Sequence, residues 1–117
     1  KDRAYVSVLM EEIMSIKNYY CRDTNLYTIS VKNELTYPKC SDFRSAYEHT
    51  PSYTNRIVLD LNQMTYIDGD GVWMLLMYID YVQQRVPSMD IVNANPITRK
   101  LFDASGVTNL INVSYAH

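Results

Sequence analysis

Glycine is nearly missing from this chain, with three residues in 117, at positions 69, 71 and 106. Neither GxGxxG nor GxxxxGK[ST] occurs, so there is no glycine-rich loop to cradle a phosphate. Histidine is just as scarce. His49 and His117 have no cysteine or acid at a spacing that supports catalysis or metal binding, and HExxH is absent. Cys21 and Cys40 lie in unrelated contexts without CxxC spacing, so they read as reduced thiols, not as a disulfide or a metal pair. A basic excess is lacking too: 11 Lys and Arg stand against 13 Asp and Glu, a net charge of -2. Nucleic acid leaves a positive footprint, and the longest basic run here is Arg99-Lys100. The longest apolar run, Val72 to Ile79, is eight residues. A bilayer needs about 20. The first residues, KDRAYVSVLMEE, lack the long apolar core of a signal peptide. These absences set the expectation of a cytoplasmic protein with no enzymatic activity, cofactor, metal, nucleic-acid partner or direct membrane insertion.

What is present fits one soluble domain. The chain is 47% hydrophobic and 21% charged, long enough for one core and too short for two ordinary ones. Eleven tyrosines stand against two phenylalanines. Tyrosine suits half-buried and interface positions, though most of these are expected simply to stand in for Phe around a small core.

Residues 1–13 are ambiguous between strand and helix and are set apart as an extension; the domain proper is expected over 14–117. Strands are predicted at about 14–20 and 26–32 around a turn at Cys21–Asn25. Tyr27, Ile29 and Val31 alternate with Thr28 and Ser30 in the second. Pro38 opens a helix to about Glu48, with Cys40, Phe43 and Tyr47 on its inner face. Ile57 to Leu61 reads as a strand in the middle of a sheet covered by helices. A helix follows from Gly69 to about Arg85, then a strand at 89–92. Asn95-Pro96 caps a helix through Ala104, Gly106 stops it, and a last strand is predicted at 110–113. The order β-β-α-β-α-β-α-β implies an α/β fold with a mixed, mostly parallel sheet.

In that order the chain resembles the STAS domain, the family of bacterial anti-sigma-factor antagonists and of the cytoplasmic tails of sulfate transporters. The resemblance covers roughly 14–113. It is carried by Asn33-Glu34-Leu35, Asp42-Phe43-Arg44, Ile57-Val58-Leu59-Asp60-Leu61, Tyr66-Ile67-Asp68-Gly69-Asp70-Gly71, Ile91–Pro96 and Leu101–Gly106. It implies a non-catalytic regulatory module that binds a protein, an anti-sigma factor or switch kinase. The alternative it implies is an accessory domain of a membrane transporter, either a sulfate-type anion carrier or a lipid ABC system.

Antagonists of this family that switch partners carry Asp-Ser-Ser-Gly or Asp-Thr-Ala-Gly at the turn, and the first hydroxyl residue is phosphorylated. Here that position is Gly69, followed by Asp70, so the phosphoacceptor is lost within the switch turn Asp68, Gly69, Asp70 and Gly71. A phosphate would bring about -1.5 to -2 charges. Asp70 brings a permanent charge instead, either mimicking the modified turn or marking one that is never modified. Asp68 also reads as a helix N-cap whatever the function. An EF-hand reading of the DGDG stretch fails, because Tyr66 and Met77 fall where calcium ligands are needed. Thr65 and Thr98 are the other hydroxyls near enough to consider.

At 100° per residue, Val72, Leu75, Leu76, Ile79, Val82 and Gln83 share the expected core face of the helix after the turn. The opposite face carries Trp73, Met74, Met77 and Tyr81, residue types favoured at interfaces. These four are the expected partner-binding residues. Burial under the N-terminal segment and a symmetric homodimer are the competing ways to cover them.

Overall fold

The structure, a computed structural model, describes residues 14–117. The extension expected at 1–13, with its apolar residues Tyr5, Val6, Val8 and Leu9, lies outside the described residues. An antiparallel hairpin opens the fold, β1 (Ile16–Cys21) against β2 (Leu26–Leu35). Asn25 closes its turn at φ 53°, a left-handed conformation that Asn tolerates, and its side chain accepts a hydrogen bond from the Tyr20 hydroxyl at 2.8 Å.

The chain then alternates. A 3-10 turn (Tyr37–Lys39) leads into α1 (Cys40–Glu48), with Pro38 at its start as the sequence suggests. Then come β3 (Arg56–Ile67), α2 (Gly69–Gln83) and β4 (Ser88–Ala94). The Asn95 side chain accepts from the Ile97 N–H at 3.0 Å and caps a second 3-10 turn (Pro96–Thr98), which continues as α3 (Arg99–Ser105). Gly106, at φ 89°, ends α3 in the left-handed conformation. Past it lies a helical turn not anticipated from sequence, α4 (Val107–Leu110), and only then β5 (Asn112–Tyr115). Leu110, expected to begin the last strand, therefore ends a helix, and the Ile111 N–H closes that turn on the Val107 carbonyl.

The sheet runs β1-β2-β3-β4-β5, antiparallel at β1/β2 and parallel thereafter. Tyr27, Ile29, Val31, Ile57, Leu59 and Ile91 on one face are essentially sealed from solvent. They join Phe43, Tyr47, Tyr78, Phe102 and Val107 from the helices in a single core. Thr28, Ser30, Asp60 and Asp90 on the other face are only half-buried.

β3 is much longer than the predicted 57–61. Beyond Leu61 it buries every third residue, Leu61, Met64 and Ile67, because its pairing with β2 slips twice, at Ser30/Lys32 and Asn33/Glu34. A period-two search does not see a strand through such slips. The extension brings the end of β2, at Leu35, beside Ile67 and the start of α2.

Candidate functional site

Asp68 leaves β3 in an extended conformation, and its carboxylate accepts from the Gly71 N–H at 2.9 Å. It is an N-cap, as expected, and takes up one of the backbone donors that a helix start leaves free. The anion site a helix N-terminus offers is therefore already filled by the chain's own carboxylate.

The two glycines of the turn have different reasons to be there. A Cβ on Gly71 would lie 2.1 Å from the Leu35 carbonyl oxygen and 2.6 Å from Ile67 Cγ1. Glycine at 71 is thus imposed by the close approach of α2 to the ends of β2 and β3. Around Gly69 a Cβ would meet nothing within 4 Å, and its φ is not positive. Neither space nor backbone conformation requires glycine at 69. Gly69 and Asp70 are both exposed at the surface.

Of the other hydroxyls, Thr98 is buried and donates to the Asn95 carbonyl at 2.6 Å. Thr65 is exposed and donates to the Asn33 carbonyl at 3.1 Å.

α2 buries Gly71, Val72, Met74, Leu75, Tyr78, Ile79 and Val82. This face is turned about 60° from the expected one, at 100° per residue. Gly71 draws its own side of the helix onto the sheet, and α1 packs over the neighbouring arc through Phe43 and Tyr47. Two expectations, those for Met74 and Gln83, are corrected as a result. Met74, placed on the outer face, is 4% exposed and belongs to the core. Gln83, placed on the core face, is exposed, and Leu76 is only partly buried. Tyr78, assigned to neither face, is fully buried, with its ring 5.6 Å from Phe43 and 5.7 Å from Tyr47.

Trp73 and Met77 remain outside, 58% and 42% exposed. They border a shallow groove between α1 and α2 whose opposite wall is Cys40, Arg44 and Tyr47, with Met74 beneath. Tyr81 is half-covered, its ring 5.2 Å from Tyr47 and under the Arg85 guanidinium at 3.7 Å. Cys40 and Tyr47 of this wall are expected from sequence on the inner face of α1, but only as core; their place at the groove, with Arg44, is not expected.

Burial raises the phenol pKa values of Tyr27, Tyr47 and Tyr78 above 10.0. Tyr27 donates to the Ala46 carbonyl at 2.6 Å, whereas the buried Tyr78 hydroxyl has no hydrogen-bond partner among the described residues. Among the described residues no group of three or more His, Cys, Asp or Glu is placed to hold a metal ion. No described helix is long and apolar enough to cross a membrane.

A mixed five-stranded α/β domain with a capped helix start at the end of its long central strand is the fold that the resemblance to the STAS domain implies. Comparison with known proteins agrees. The profile described as "Mlab, STAS domain" matches residues 22–112, and the chain belongs to the STAS family. A STAS-domain containing protein of Pseudomonas aeruginosa is 29% identical over 101 residues, covering 86% of this chain and all of that one. Among solved structures, a protein of Thermotoga maritima described as an anti-sigma factor antagonist aligns with TM-score 0.71 at 11% identity, over 86% of both chains. The antagonist SpoIIAA in its unphosphorylated form aligns with TM-score 0.64 at 17% identity, over 84% of this chain and 86% of that one. At these identities the two structures establish the fold.

Proposed function

We propose that this STAS domain is a non-catalytic regulatory module that docks a protein through the start of α2 and the groove beside it, with a turn that carries no phosphoacceptor. Trp73 and Met77 are its anchors, Tyr81 supports them from the α1 side, and Met74 shapes the groove from within the core. The observation that carries this reading is the open space around Gly69. Packing does not demand glycine there, so the missing hydroxyl is a property of the surface and not a concession to the fold.

The partner class suggested by the family is an anti-sigma factor or switch kinase. With Gly69 in place, phosphate cannot be added at the first position after Asp68, and the surface stays in one charge state, set by Asp70. A pull-down from the native organism tests this, using the wild-type chain and the Trp73→Ala/Met77→Ala double variant. Retention of a kinase or anti-sigma factor by the wild type and its loss in the double variant is the expected result. Equal retention by both removes the assignment of the anchors. A transporter subunit recovered in place of a kinase moves the reading to an accessory domain of transport.

A further inference from the structure

The exposed arc of α2 carries more than its two apolar anchors. Asp70, Trp73, Met77 and Asp80 are all exposed, and at 100° per residue they fall within about 80° of one another. They form a single stripe, acidic at each end and apolar between. The two carboxylates are separated by about 15 Å along the helix axis, at 1.5 Å rise per residue.

α2 contains no lysine or arginine. The nearest cation beyond it, Arg85, is engaged elsewhere: it donates to the Tyr81 carbonyl at 2.8 Å and covers the Tyr81 ring. Across the groove Arg44 is followed one turn on by exposed Glu48, Lys39 stands immediately before α1, and Asp42 lies on the other side of that helix. Around the groove Glu48, Asp70 and Asp80 outnumber Arg44 and Lys39, and on α2 itself the charges are all acidic, with Lys17, Arg56, Arg99 and Lys100 belonging to other elements.

We infer that the groove receives an amphipathic helix with two apolar anchors and a cationic side chain at each end, about ten residues apart. The inference rests on the docking function proposed above and adds the chemistry of the partner. Charge selects this occupant over two others. A second copy joined by a two-fold axis would set one acidic stripe against another, and like charges across an interface are penalised. An anionic membrane surface would be repelled by the same carboxylates. A cationic helix meets both ends of the stripe while its apolar face covers Trp73 and Met77.

Trp73 is the only tryptophan in the chain, so its fluorescence reports occupancy of the groove without a label. The probes are two synthetic amphipathic helical peptides of about 18 residues, long enough to span the stripe. They share an apolar face and differ only in carrying Lys or Glu at the two flanking positions. The Lys-flanked peptide is expected to shift Trp73 emission and to bind at least about tenfold more tightly than the Glu-flanked one at low salt, an advantage that shrinks as salt is raised. Asp80→Lys is expected to weaken the Lys-flanked peptide by about three- to tenfold and to strengthen the Glu-flanked one. Equal binding of both peptides would overturn the charge inference while leaving the docking groove standing. No response to either peptide would overturn both. Trp73 emission already shifted in the isolated chain would overturn the inference as well, by identifying a second copy if the shift depends on concentration and the chain's own residues if it does not.

Discussion

In the turn from Asp68 to Gly71, single positions differ in what packing demands of them. Gly71→Ala puts a methyl group against the backbone carbonyl of Leu35, and a packed strand end has little freedom to yield. The gain in helix propensity, about 1 kcal/mol, is outweighed, and a net loss of about 2 kcal/mol or more is expected in denaturant titrations. Gly69→Ser meets only open space and is expected to leave stability unchanged within about 0.5 kcal/mol. Tyr78 offers a different kind of test. Its hydroxyl is buried with no partner among the described residues, so Tyr78→Phe removes an unsatisfied group and is expected to be neutral or mildly stabilising at neutral pH. The pH dependence follows from the raised phenol pKa values. Below pH 10 these tyrosines are neutral in both states, but above it the unfolded chain ionises while the buried phenols resist. Stability is therefore full below about pH 10 and is lost as pH rises further. Tyr78→Phe should make that loss shallower, a change visible in urea midpoints measured on either side of pH 10.

At the scale of elements, α2 is held at its start by one side chain. Asp68→Ala removes the bond to the Gly71 N–H and should cost about 1 kcal/mol in thermal or denaturant unfolding. Its outer stripe should behave in the opposite way. Trp73→Ala and Met77→Ala remove exposed groups, so stability should move by no more than about 0.5 kcal/mol even where binding collapses. Much of this was legible in the sequence. The hairpin turn, the Asn95 cap, the Gly106 stop and the N-capped start of α2 are each written in local residue chemistry, and all stand where expected. What was hidden depends on contacts between elements. The far half of β3 follows β2 through two register slips, so its burial has no period of two. The true core face of α2 depends on Gly71 fitting against Leu35 and on α1 lying over Tyr78. Neither neighbour is visible from α2's own periodicity, so Met74 was read as outward and Tyr78 was not read at all. Tyrosine was half legible: Tyr27, Tyr47 and Tyr78 do the work of Phe in the core, whereas Tyr19, Tyr37, Tyr53 and Tyr66 are exposed.

For the whole molecule, one core and one mixed sheet carry both the turn and the helix face to which the proposed function assigns docking. On that proposal regulation would act through charge at the helix start, where Gly69 has no side chain to accept a phosphate. The most direct test compares a partner complex of the wild-type chain with that of Gly69→Ser, before and after ATP is added, with phosphate mapped by mass spectrometry over residues 56–85. The wild-type complex should survive ATP with no phosphate in that segment, while the serine variant should acquire phosphate at position 69 and release its partner. Phosphate within residues 56–85 of the wild-type chain, with loss of its partner on adding ATP, would contradict the account.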